Sequence, residues 1–108
     1  MNLAQKKCIA CEGGMPPLSR AEAEVLMREI PLWQLASDAK SITRHFSFPH
    51  FAAALAFVNM IGALAETEGH HPDVSFGWGY ADIVLTTHAV GGLSENDFIS
   101  AAKIDTIR

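Results

Sequence analysis

Five side chains in the second half of the chain have the types and spacing to move protons: Glu66, His70, His71, His88 and Asp97. Imidazole has an unperturbed pKa of about 6.5, so it can give or take a proton near neutrality. Glu66 and His70 share a face if helix continues that far. Gly69 and Pro72 point instead to a helix end, leaving His70 and His71 on a loop, where functional side chains concentrate. Adjacent histidines point opposite ways in regular structure, so a shared site needs the irregular turn that Gly69 and Pro72 supply. His88 falls on the Asp82, Val84 and Thr86 face of a strand, and joins them if that hairpin folds over the helix end. Residue chemistry alone leaves three readings open: acid–base catalysis, a three-histidine metal site, or no site. Capping of a helix is sufficient to explain Asp97, and His45 and His50 read as surface or hydrogen-bonded histidines.

The elements that must position these groups follow from periodicity and punctuation. Ser19-Arg20-Ala21-Glu22 has capping-box spacing, so a first helix is expected over 20–29, stopped by Pro31. Residues 33–36 and 41–48 then form a hairpin around a turn at 37–40. Ile42, Arg44, Phe46 and Phe48 alternate with Thr43, His45 and Ser47, the two-residue period of a half-buried strand. A second helix is expected with Pro49 in its first turn, running to about Glu68. It is apolar nearly all round and therefore needs cover on more than one side. A second hairpin begins after Pro72, with Val74, Phe76 and Trp78 alternating, a turn at Gly79-Tyr80, and a return strand over 81–88. Ser94 caps a last helix that has Asp97 at its third position, with Leu93 stapled to Phe98. Hairpins separated by helices imply an α+β fold of order α-β-β-α-β-β-α: a four-stranded antiparallel sheet with three helices on one face.

Composition narrows the function classes. The chain has 108 residues, of which 49% are hydrophobic and 19% charged, which suits one ordered domain and excludes disorder throughout. Net charge is −4, and no Lys or Arg lies between Arg44 and Lys103, an interval that holds six carboxylates. That distribution argues against a phosphate-tracking nucleic-acid surface and against substrates held by a phosphate clamp. The apolar run over 51–65 is shorter than the ~20 residues of a membrane span, and the opening MNLAQKKC lacks the apolar core of a secretory signal. A cytoplasmic setting is therefore expected, with neither membrane nor nucleic acid as partner. Residues 1–17, rich in Gly and Pro punctuation, read as a flexible lead-in to a domain at 18–108. The lead-in carries Cys8-x-x-Cys11, a single pair with no second pair to complete a zinc site. No catalytic role is expected of it; shared metal binding or redox lability is the alternative.

Glu66-x3-His70-His71-Pro72, followed by Trp78, His88 and Asp97, resembles the signature of the pterin-4a-carbinolamine dehydratases. The resemblance runs from about Ser19 to the C-terminus and includes Trp33, Arg44-x-Phe46-x-Phe48, Thr86-Thr87-His88 and Gly92-Leu93-Ser94-x-x-Asp97. The Cys8 to Pro17 lead-in also resembles that of some bacterial members. The resemblance implies a hydro-lyase that converts 4a-hydroxytetrahydrobiopterin, the carbinolamine left by aromatic amino-acid hydroxylases, to quinonoid dihydrobiopterin and water. It implies no metal and no organic cofactor, a homodimer or homotetramer, and His70, His71 and His88 lining the pterin site. Chemically, His70 and His88 would exchange protons while His71 orients the ring, and Asp97 would hold a histidine in one tautomer. Glu66 and the hydroxyls or amides of Thr86 and Thr87 would pair with the polar edges of the pterin. One departure stands out: relatives often carry Asp or Asn where this chain has Gly69. The family also includes dimerisation partners of a homeodomain transcription factor, so the alternative is a non-enzymatic interaction module, with the lead-in as its docking segment.

Overall fold

The capping box at Ser19 starts the first helix. The Ser19 amide donates to Glu22 Oε1 at 2.8 Å and the Glu22 amide donates to Ser19 Oγ at 3.1 Å, which satisfies amides that a helix start otherwise leaves open. The computed structural model, which describes residues 2–9 and 15–108, has helices α1 (Arg20–Met27), α2 (Phe51–Glu68) and α3 (Glu95–Ile107). The strands are β1 (Gln34–Leu35), β2 (Ile42–Ser47), β3 (Asp73–Gly77) and β4 (Tyr80–Leu85), in the expected α-β-β-α-β-β-α order. They form one antiparallel sheet in the spatial order β1-β2-β4-β3.

Register sorts the side chains onto two faces. Ile42 lies opposite Leu85, Arg44 opposite Ile83 and Phe46 opposite Ala81, and Val74 and Phe76 pair with Ile83 and Ala81 from the other side. Because successive side chains alternate, these residues share the face that packs against α2 and α3, and Ile42, Phe46, Ala81, Ile83 and Leu85 are buried there. Arg44 is the charged member of that face. Its guanidinium lies 4.2 Å from the centre of the Phe46 ring and 2.5 Å from Asp105 of α3, which also accepts from Trp33 Nε1 at 2.8 Å. The opposite face carries Thr43, His45, Asp82 and Val84, with His45 exposed and the other three half-buried.

The structure moves several boundaries. The first helix closes at Met27, and β1 keeps two residues. Pro49 precedes α2 instead of sitting in its first turn: His50 is the cap, its Nδ1 accepting the Ala53 amide at 3.2 Å. Trp78 lies in the turn of the second hairpin and is exposed. The apolar α2 buries one stripe, Ala54, Phe57, Ile61 and Ala65, at helical spacing. Phe51, Leu55 and Met60 on its other side are exposed, so among the described residues the cover expected on more than one side is not supplied. At 18 residues α2 is long and apolar enough to cross a membrane by length and composition, and its buried stripe forms part of the core of this fold.

Candidate active site

The site forms where the end of α2, the end of β4 and the start of α3 meet. Gly69 ends α2 in the left-handed region (φ +66°), its amide donating to Ala65 O at 2.9 Å. His70 and His71 follow on the short loop that Pro72 closes before β3. β4 stops at Leu85, earlier than the expected end at His88. Thr87 and Gly92 then bridge, the Thr87 amide donating to Gly92 O at 2.8 Å, around a single 3-10 turn over His88–Val90. His88 therefore projects from a turn and not from a strand end.

His70, His71, His88, Thr86 and Thr87 line one cleft of about 410 Å3. Behind it stands Asp97, with no exposed surface, and its Oδ1 accepts from His70 Nε2 at 2.6 Å. The other carboxylate oxygen accepts from Thr87 Oγ1 at 2.7 Å and from the Ser94 amide at 3.0 Å. A buried charge is tolerated when it is hydrogen-bonded this fully. Since an ionised carboxylate only accepts, His70 carries its proton on Nε2, leaving Nδ1 as the nitrogen not engaged by Asp97. His71 Nε2 donates to Glu66 Oε2. This pair is much more open, with side chains 60% and 78% exposed against 11% and 0% for His70 and Asp97. His88 is exposed, and its ring has no hydrogen-bond partner among the described residues.

Several expected roles change. Glu66 pairs with His71 and not with His70, because α2 ends before the latter can fall on the same helical face. The Thr87 hydroxyl and amide are committed to Asp97, Ser94 and Gly92, so Thr87 supports the carboxylate from within. Thr86 donates to Lys40 O at 2.6 Å, and its hydroxyl lone pairs are left to accept. Ile9, Gly69, Ala89 and Asn96 also border the cleft, none of them anticipated as a site residue. Asn96 had a signal, its position beside Asp97 at a helix start; Ile9, more than sixty residues away in sequence, had none. Among the described residues no three His, Cys, Asp or Glu side chains converge as a metal-ligand set.

The lead-in contributes directly to this region. Leu3 is buried in the core, Lys103 of α3 donates to Ala4 O at 2.9 Å, and the Cys8 amide donates to Glu68 Oε1 at 2.9 Å. Cys8 Sγ lies 3.6 Å from Ser100 Oγ and 3.7 Å from Asn96 O. Burial pushes the Cys8 thiol above its ordinary pKa, which disfavours the reactive thiolate. Cys11, its expected partner in the pair, lies outside the described residues. A second cavity of about 410 Å3 adjoins the cleft across Ile9 and Asn96, but its walls include Leu18, Val90 and Leu93 and no histidine.

Residues 16–107 match the model of the pterin 4 alpha carbinolamine dehydratase family. The chain belongs to that family. A relative from Azoarcus sp. strain BH72, named as a candidate pterin-4-alpha-carbinolamine dehydratase, is 51% identical over 97% of this chain and 90% of its own length. Another of the same name, from Halorhodospira halophila, is 47% identical over 99% and 98%. Among solved structures, a transcriptional coactivator/pterin dehydratase from Brucella melitensis superposes with a TM-score of 0.79 at 31% identity, covering 84% of this chain and 97% of that one. A pterin dehydratase-like RuBisCO assembly factor of the alpha-carboxysome is similar at a TM-score of 0.60 and 28% identity, over 69% and 87%. The left-handed backbone at Gly69 accounts for the departure noted above: glycine, asparagine and aspartate are the residues that tolerate that region best.

Proposed function

We propose that this chain is a 4a-hydroxytetrahydrobiopterin dehydratase, releasing quinonoid dihydrobiopterin and water. The observation that carries the reading is the buried Asp97 holding His70 at 2.6 Å on the wall of a cleft shared with His71 and His88. Dehydration breaks the C4a–O bond, the hydroxyl leaving as water with one added proton. The N5 proton departs, and its electron pair completes the C4a=N5 double bond. His70 is the base: Asp97 fixes the tautomer and stabilises the imidazolium that forms when Nδ1 takes the N5 proton. His88, whose ring has no hydrogen-bond partner among the described residues, is the acid that protonates the leaving hydroxyl. His71, oriented by Glu66, binds and aligns the ring, and Thr86 accepts from a pterin edge. Each positioned acid or base contributes roughly 10²–10⁴ in rate. The chemistry is assigned to these side chains without a metal or organic cofactor.

The same reading makes an aromatic amino-acid hydroxylase the functional partner, in the cytoplasm, with no nucleic-acid or membrane partner. It also makes the chain a homo-oligomer, supported by the exposed Phe51, Leu55 and Met60 of α2. A second reading, an interaction module without activity, draws on the assembly factor and the coactivator among the similar structures. The two separate in one assay: decay of 4a-hydroxytetrahydropterin generated in place by a hydroxylase, followed by its absorbance. Acceleration by wild type, lost by about 10²-fold or more in His70→Ala and in His88→Ala, is the dehydratase outcome. No acceleration by folded wild type makes the interaction module the better reading.

A further inference from the structure

Resting on the dehydratase reading, we infer that Ile9, carried to the cleft by the N-terminal segment, is a substrate-contacting residue that packs on one face of the pterin ring. Residues 2–9 cross α3 from its C-terminal half to its start, held successively by Lys103 on Ala4 O, by Lys6 on Glu95 at 3.2 Å and by Glu68 on the Cys8 amide. The last fastening is two-point. Asn96, itself buried, accepts the Ile9 amide on Oδ1 at 3.0 Å and donates from Nδ2 to Ile9 O. The next residue, Asp97, holds His70, so one turn of α3 fixes both the histidine and the backbone of Ile9.

The fastening leaves the Ile9 side chain at the cleft and 74% exposed. The polar side chains of the cleft suit the hydrogen-bonding edges of a pterin, and the ring face opposite the C4a hydroxyl is apolar. Ile9 is the one branched aliphatic side chain bordering the cleft among the described residues; Ala89 offers a single methyl. A branched side chain that is exposed, yet positioned by a buried amide, gains apolar contact when such a face arrives.

Steady-state dehydration by wild type, Ile9→Ala and Ile9→Val tests this, with thermal melting of each. Because Ile9 is largely exposed, the melting points are expected to agree. Ile9→Ala is expected to raise KM about tenfold with kcat within about twofold, and Ile9→Val, which keeps the branch, to stay within about twofold in both. Unchanged KM in Ile9→Ala with active wild type overturns the contact and leaves the dehydratase reading standing. A KM rise accompanied by a lowered melting point and an equal fall in kcat also overturns it, in favour of a structural role. Inactive wild type overturns both.

Discussion

Two histidine–carboxylate pairs in this molecule have the same 2.6 Å contact and opposite surroundings. His45 and Asp82 face each other across β2 and β4 on the open side of the sheet, with side chains 59% and 43% exposed and His45 stacked on Tyr80. His70 and Asp97 meet between a loop and α3, at 11% and 0%. In water-facing surroundings, solvent screens the charge and competes for the hydrogen bond, so such a pair is worth about 0–1 kcal/mol. Inside, each group depends on its partner, and loss of one leaves the other desolvated and unmatched. Distance alone therefore does not distinguish the two pairs. What does is the chain Thr87, Ser94, Asp97, His70, in which the carboxylate is satisfied before it reaches the ring.

The largest expected effect breaks the buried pair. Asp97→Asn preserves shape but presents an amide that cannot accept from His70, Thr87 and the Ser94 amide as the carboxylate does. A fall in kcat of about 10²–10⁴-fold is expected with a stability loss of about 1–3 kcal/mol, measured by turnover and by chemical denaturation. Unchanged kcat would reduce the pair to the status of His45–Asp82. Thr87→Val comes next, since it removes the hydroxyl on Asp97 Oδ2 while keeping the branch. About 1–2 kcal/mol of stability and a several-fold loss in kcat are expected, and equal melting curves would show that Ser94 alone suffices. Asp82→Asn on the open face is expected to change stability by less than about 1 kcal/mol and leave kcat unaltered; a catalytic defect there would remove the contrast.

The smallest effect concerns acid. The Ser19 backbone amide, and then its side chain, hold the Glu22 carboxyl below its ordinary pKa. A carboxyl lowered in the folded state adds stability that is complete above its unfolded pKa and disappears as pH falls through the folded value. Melting points of wild type and Glu22→Gln should therefore differ slightly at neutral pH and converge in acid. Divergence toward low pH would contradict the capping assignment.

The element order could be read along the chain because the signals behind it are local: Ser19 with Glu22, alternation from Ile42 to Phe48, and Ser94 with Asp97. Errors fell where tertiary packing decides. β4 stops at Leu85 because Thr87 bridges to Gly92, a partner that periodicity does not reveal. That α2 is apolar nearly all round was legible, but composition does not say which side meets the sheet, and that is the stripe of Ala54, Phe57, Ile61 and Ala65. His70, His71 and His88 stood out as side chains whose chemistry suits proton transfer, and the structure brings them to one cleft; a link from Asp97 to a histidine was expected on chemical grounds, and it forms with His70. The split of the carboxylates, Asp97 to His70 and Glu66 to His71, depended on where α2 unwinds at Gly69.

By itself the sequence determined which residues can exchange protons, where helices begin, and that the sheet has one buried face, since capping and side-chain alternation act over a few residues. Tertiary structure alone decided that Thr87 serves Asp97, that Asn96 fastens Ile9 beside the histidines, and that the lead-in residues 2–9 lie along α3. Those contacts join segments tens of residues apart. Their geometry exists only after the sheet, α2 and α3 have packed around a common core and the buried polar groups have found their remaining partners.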